Sequence, residues 1–304
     1  MRIFSSILII TGLLFAIAPA ANAKTKIFAC EPEWASLAKE IGGDKVETFS
    51  ATTAMEDPHH VRAKPSLIAA MRKSDFVICS GSGLEIGWLP VLLQSAGNSK
   101  VQPGNIANLQ ASSVVHLLEK PASVDRSQGD IHPEGNPHVQ LNPHNIALVA
   151  KELTARLSQV DAVNSAYYKS QYAVFSEKWQ QAIKRWESEA LSLKGTPVVV
   201  HHMSFTYLND WLGLTQVATL EPKPGVPPTT GHLEELLKTL NVHPAKAILR
   251  SSYDPDDASN WLSEKTGTPA IKMPYTVGGN ESATDLFGLF DSTIATLKGA
   301  TGDK

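Results

Sequence analysis

The 304-residue chain is poor in cysteine, with only two, and carries no excess of either charge: 27 basic residues face 30 acidic ones, for a net −3. Two cysteines cannot staple a chain of this length, so a disulfide scaffold is excluded. Without a basic excess there is no electrostatic footprint for nucleic acid. Beyond the first two dozen positions, no apolar run reaches the ~18 residues that a membrane span needs. There is no internal repeat and no low-complexity tract. His-Glu-x-x-His, Gly-x-Ser-x-Gly and a phosphate-cradling glycine loop are also absent, and Gly81-Ser82-Gly83 lacks the hydrolase spacing. Three common enzyme signatures go with them. The composition is globular, 42% hydrophobic and 19% charged. A disordered or fibrous chain is excluded, and the length suits two lobes of ~130–150 residues. Against these shortages stand ten histidines, which point to imidazole chemistry.

Positions 1–23 form a secretory leader: Arg2, an apolar stretch, then Ala21-Asn22-Ala23 as an A-x-A cleavage site. Cleavage after Ala23 and an exported, periplasmic protein are expected. No cysteine stands at the leader's exit, so lipid attachment is not indicated there. Cys30 and Cys79 would then face an oxidising compartment. Both end short apolar runs, KIFAC and DFVIC. The plainer reading is two buried free thiols, with a bridge as the alternative, because spacing does not show how close they come.

Strand-like runs at 26–30, 46–51, 76–79, 198–200, 247–249 and 270–273 alternate with helical stretches. Such alternation predicts an α/β fold with parallel sheets. Asn142 and Pro143 supply a cap and a first helical residue, and Ile146, Val149, Ala150, Leu153 and Leu157 mark one apolar face. The stretch 163–191 holds no Gly or Pro and is rich in aromatics. It predicts a helix of ~40 Å, long enough to join two lobes. The expected organisation is a leader at 1–23, an N-terminal lobe at 24–162, a linker helix at 163–191 and a C-terminal lobe at 192–304. Two stretches rich in Pro and Gly, 119–137 and 221–231, read as loops.

Three histidine sites share a setting. His59 lies in Asp57-Pro58-His59-His60, His138 in Asn136-Pro137-His138, and His201-His202 follows a strand. Each follows a strand or a Pro turn, where α/β lobes place binding groups. Their wide separation fits no zinc finger and suits a cleft assembled from several loops. Neutral imidazole is a good ligand for Zn²⁺, although a lone histidine is more often a surface or core residue. His116, His144, His232 and His243 lack this setting and read as surface or helix-end residues.

These motifs resemble the zinc- and manganese-binding subunits of bacterial ABC importers. Asp57-Pro58-His59 is followed by Lys64-Pro65-Ser66, Ser74-Asp75-Phe76-Val77 and Gly81-Ser82-Gly83-Leu84-Glu85. A second motif reads Asn136-Pro137-His138-Val139-Gln140-Leu141-Asn142-Pro143, and a third combines His202, Tyr207 and Gly213-Leu214. The resemblance covers nearly the whole chain after the leader. It implies two α/β lobes with central parallel-type sheets, joined by one long rigid helix, with the metal site in the interlobe cleft. It selects His59 over His60 and His202 over His201, and gives His59, His138 and His202 as metal ligands. The implied partners are a zinc ion and an inner-membrane ABC permease, with no nucleic acid and a monomeric carrier. Release is expected when the lobes shift and His202 leaves the other two.

Relatives of this kind usually add a carboxylate ligand from the C-terminal lobe. Here the corresponding places, Arg250-Ser251-Ser252-Tyr253 and Pro274-Tyr275, hold none. The fourth position is open to water, His132, Glu134 or a residue near Asp254. Three neutral imidazoles favour Zn(II) over Mn²⁺, which prefers oxygen. A His₃–water site is also the catalytic zinc pattern, so a secreted zinc hydrolase is the alternative.

Overall fold

In the computed structural model, residues 23–302 are described. The leader, 1–23, lies outside them except for its last residue. The first half runs β1 (Thr25–Ala29), α1 (Pro32–Gly42), β2 (Val46–Ser50), α2 (Pro65–Lys73), β3 (Phe76–Cys79), α3 (Leu89–Ala96) and β4 (Asn108–Gln110). Then come α4 (Pro143–Val160) and α5 (Ser165–Glu189). The second half runs β5 (Pro197–Val200), α6 (Thr206–Leu212), β6 (Thr215–Thr219), α7 (Thr230–Val242), β7 (Ala247–Arg250), α8 (Asp257–Thr266), β8 (Ala270–Lys272) and α9 (Leu286–Thr301).

The strands form two four-stranded sheets, ordered β2-β1-β3-β4 and β6-β5-β7-β8. All pairings are parallel, with Ile27 opposite Phe76 and Val198 opposite Ala247. Helices cover both faces of such sheets, which is why β3 and most of β5 are apolar on both sides and buried. Two strands escape the sequence reading. β4 has only three residues, and β6 is a half-buried edge strand of Thr, Gln, Val and Ala. Neither carries the continuous apolar run that marks a central strand.

Asn142 accepts the His144 N–H and Pro143 opens α4, whose expected apolar face is buried. α5 occupies the expected linker stretch, with a one-turn 3₁₀ segment beside each end. It packs on α1, α4 and α9. Trp179 stacks on Phe175 at 5.2 Å and meets Phe287, Phe290 and Trp186 at 4.9–5.5 Å. Aromatic contacts of this size bind the helix to α9 of the second half, and Trp179 Nε1 ties it to the first by donating to Pro143 O at 2.8 Å. One apolar core therefore runs from Ile27 through α5 to Leu297, with a smaller cluster on the far side of the second sheet.

The thiol reading is corrected. Cys30 and Cys79 are bridged, with Cα atoms 4.8 Å apart. Adjacent pairing of β1 and β3 brings their carboxyl ends together, a closeness that no sequence spacing discloses.

Beside the bridge lie three buried carboxyls, Glu31, Glu33 and Glu85. Glu85 accepts from Ser80 N at 2.8 Å, and Glu31 from Ser80 N and Oγ at 3.2 and 3.1 Å. Glu33 accepts from Thr276 of the second half. Burial raises all three pKa values, Glu33 and Glu85 to about 7. An acid raised on folding contributes stability below its unfolded value and loses it as pH rises through the folded value. Glu31→Gln keeps an acceptor for Ser80 and removes one buried charge. It is expected to raise the thermal midpoint at pH 8, by roughly 1–3 kcal/mol of stability, and to change little at pH 4.5. Equal shifts at both pH values would contradict this.

Candidate metal centre

His59 and His138 sit in the same local device. Asp57 Oδ1 accepts the His59 N–H at 2.9 Å, and Asn136 Oδ1 accepts the His138 N–H at 2.9 Å. In each, an Asx side chain two residues back and an intervening proline fix the turn. Trp88 Nε1 donates to Pro58 O at 2.8 Å and pins the first turn to the start of α3. His202 follows β5, at the carboxyl end where α/β sheets present binding groups.

The turns bring the rings together. Centroids of His59 and His138 lie 5.2 Å apart, His59 and His202 5.4 Å, and His138 and His202 5.3 Å. His132, on the 119–137 loop, joins them at 5.5 Å from His59 and 6.2 Å from His138. Ligand nitrogens of His59, His132 and His138 lie within 4.8 Å of one another. His138 Nε2 and His202 Nε2 are 3.3 Å apart. Tetrahedral Zn–N bonds of ~2.0–2.1 Å would separate ligand nitrogens by about 3.3–3.4 Å. The Nε2 atoms of His59 and His132 are buried and have no hydrogen-bond partner among the described residues.

The other ring nitrogens are engaged. His59 Nδ1 lies 2.8 Å from Asp57 Oδ1, His138 Nδ1 2.7 Å from Tyr275 Oη, and His202 Nδ1 2.6 Å from Glu221 Oε2. Each bond fixes ring orientation and turns Nε2 inward. Burial, reinforced by neighbouring imidazoles, pushes His138 well below the ordinary histidine value and His132 to about 4. Burial also works to lower His202, but its bond to the Glu221 carboxylate outweighs this and the net shift is upward.

The 119–137 loop crosses between the halves. Asp130 N donates to Pro224 O at 2.8 Å, and Lys223 Nζ donates to Ser127 O at 2.7 Å. Cavities of about 510 and 310 Å³ flank the segment carrying His132, and Glu134 lines the larger one. His60 is exposed and lines the same cavity, while His201 is buried with Nδ1 unpartnered among the described residues. The Asp254 carboxylate accepts from Ser251 N at 2.7 Å.

Sequence reading missed the groups behind the histidines. Asp57 stands only two residues before His59, so its place beside that ring is the one such partner with a local signal. Tyr275 is marked only as a place where relatives add a carboxylate, and Glu221 carries no signal; their partners lie 137 and 19 positions away.

A family model described as "Zinc-uptake complex component A periplasmic" (ZnuA) matches residues 27–300. The zinc-binding lipoprotein AdcA of Streptococcus pneumoniae is 24% identical over 233 residues, covering 75% of this chain. The match takes in 45% of AdcA, so this chain spans less than half of that relative. The manganese ABC transporter substrate-binding lipoprotein PsaA of the same species is 22% identical over 292 residues, with 90% of each chain covered. Among solved structures, a crystal structure of ZnuA superposes with a TM-score of 0.76 at 19% identity, covering 92% of this chain and 100% of that one. That likeness bears on the fold, and it agrees with two parallel sheets spanned by a long helix. With three histidine turns converging where the halves meet and a family match over nearly the whole described length, the chain belongs to the periplasmic zinc-uptake complex component A family.

Proposed function

We propose that this chain captures one Zn(II) in the periplasm and delivers it to an inner-membrane ABC permease. In this reading His59, His138 and His202 are ligands and His132 completes the set. The carrying observation is the inward convergence of imidazole Nε2 atoms, two of them buried without partners. A buried polar atom left unpaired is costly, and a cation among such atoms removes the cost. All-nitrogen donors support zinc over manganese, even though relatives include a manganese binder. The leader at 1–23, the lobe boundaries at 24–162 and 192–304, and a monomeric carrier belong to the same proposal.

The hydrolase alternative gains no support from the family. Asp57 and Glu221, the carboxylates nearest the rings, are both engaged with ligand histidines, so neither is free to activate water. The bonds from 127 and 130 to 223 and 224 tie the loop that carries His132 to the second half, so release requires them to open together with the lobe shift expected from sequence.

Metal analysis of the chain without its leader tests this reading. The protein is stripped with chelator, reloaded from an equimolar Zn²⁺/Mn²⁺ mixture and desalted. One zinc per chain and no manganese is the expected result. Manganese retention, or no retained metal, would overturn the zinc assignment.

A further inference from the structure

The three histidines differ in what stands behind them. His59 and His202 carry carboxylates on Nδ1, Asp57 at 2.8 Å and Glu221 at 2.6 Å. His138 carries the Tyr275 phenol at 2.7 Å. Burial pushes that phenol's ionisation well above the ordinary tyrosine range, so it stays neutral. Glu221 is itself fixed, accepting Gly225 N at 3.0 Å, and its side chain is 13% exposed. Asp57 is anchored by the His59 backbone and is 35% exposed. Asp254 adds a further negative charge acting on His202 from its bond to Ser251.

Neutral imidazoles bring no charge to a bound ion. The charge it feels therefore comes from this outer layer. Resting on the zinc-carrier reading, we propose that Asp57 and Glu221 set the charge class of the cargo, favouring a divalent cation over a monovalent, imidazole-seeking ion such as Ag⁺ or Cu⁺. A carboxylate behind a ligand ring stands about 6 Å from an ion on Nε2. Its attraction for a 2+ ion is twice that for a 1+ ion. A monovalent ion in place of a divalent one halves this attraction, and at Glu221, whose side chain is largely buried, solvent makes up little of the loss. Tyr275 orients its ring without contributing to this choice.

The test measures dissociation constants for Zn²⁺ and for Ag⁺ by chelator competition at pH 7.5. Wild type, Asp57→Asn, Glu221→Gln and Tyr275→Phe are compared, and the apo thermal midpoint of each reports folding. Ag⁺ needs no reductant, and the described residues contain no free cysteine to trap it. Asn and Gln keep an oxygen that accepts from Nδ1 and lose only the charge. Zinc binding is expected to weaken about 10–100-fold. Silver binding should weaken by about the square root of that factor, roughly 3–10-fold. Tyr275→Phe should weaken both ions by one common factor. Equal losses for the two ions in Asp57→Asn and Glu221→Gln, or no loss, would overturn the proposal and leave the carboxylates as positioning groups only. The two substitutions are independent, so misfolding of one leaves the other to decide. A wild-type chain that binds no zinc would overturn the carrier reading itself, which is a different result.

Discussion

His138→Ala is expected to weaken zinc binding by about 10²–10³-fold. Structural zinc sites are worth ~10–16 kcal/mol, or about 3 kcal/mol for each of four ligands. Each 1.4 kcal/mol is a factor of about ten. His138 has the largest effect because it is the most deeply buried of the three, 1% exposed against 7% for His202, with His59 only half-buried. Its removal also strands the Tyr275 hydroxyl. His59→Ala and His202→Ala should follow closely. His132→Ala should cost only about tenfold, because water can replace a ligand carried on a loop. Its loop segment is bounded by Gly129 and Gly135, with φ of 86° and 126°, conformations that glycine adopts freely. The effect of His132→Ala is expected mainly in faster zinc release, measured by stopped-flow transfer to a chelator. Apo thermal midpoints separate lost ligation from lost folding. A His132→Ala defect as large as that of His138→Ala would mean that the loop is part of the rigid site.

Zinc affinity should fall as the pH drops, with His202 setting the first loss. A ligand imidazole must be neutral to bind metal. His138 and His132 are held neutral by burial, well below the ordinary value and at about 4 respectively. They take up no proton between pH 7.5 and 5.5. His202 is shifted the other way by Glu221, so its protonated form competes with zinc from above the ordinary value of ~6.5. Below that point the dissociation constant should rise about tenfold per pH unit. Folding linkage has the same direction. A histidine raised on folding contributes stability to the metal-free protein below ~6.5 and loses it as pH rises through the folded value. Acid thus disfavours zinc and strengthens the empty His202–Glu221 pair. Glu221→Gln should move the onset of zinc loss to lower pH while weakening binding at pH 7.5. A flat profile in the wild type, or an unmoved onset in the variant, would contradict this account.

Some of this protein was readable before any folding. The central strands β1, β3, β5 and β7 appear as short apolar runs because a parallel sheet buried on both faces imposes them. The start of α4 was readable because an Asn cap and a first-turn proline act within three residues. The two Asx-Pro-His turns are local in the same way. They place His59 and His138 through hydrogen bonds spanning two positions. The choice of His59 over His60, and of His202 over His201, came from resemblance and not from periodicity.

The remainder needed the tertiary structure. The Cys30–Cys79 bridge depends on β1 lying beside β3, and the arrival of His132 depends on where its loop crosses the cleft. Edge strands β4 and β6 are specified by their neighbours more than by their own residues. The partners on Nδ1, above all Glu221 and Tyr275, come from segments remote from their histidines in sequence. Local patterns record what a residue does within a turn of helix or along a strand. The orientation and charge environment of a cleft arise only when distant segments pack, and at this centre both were decided there.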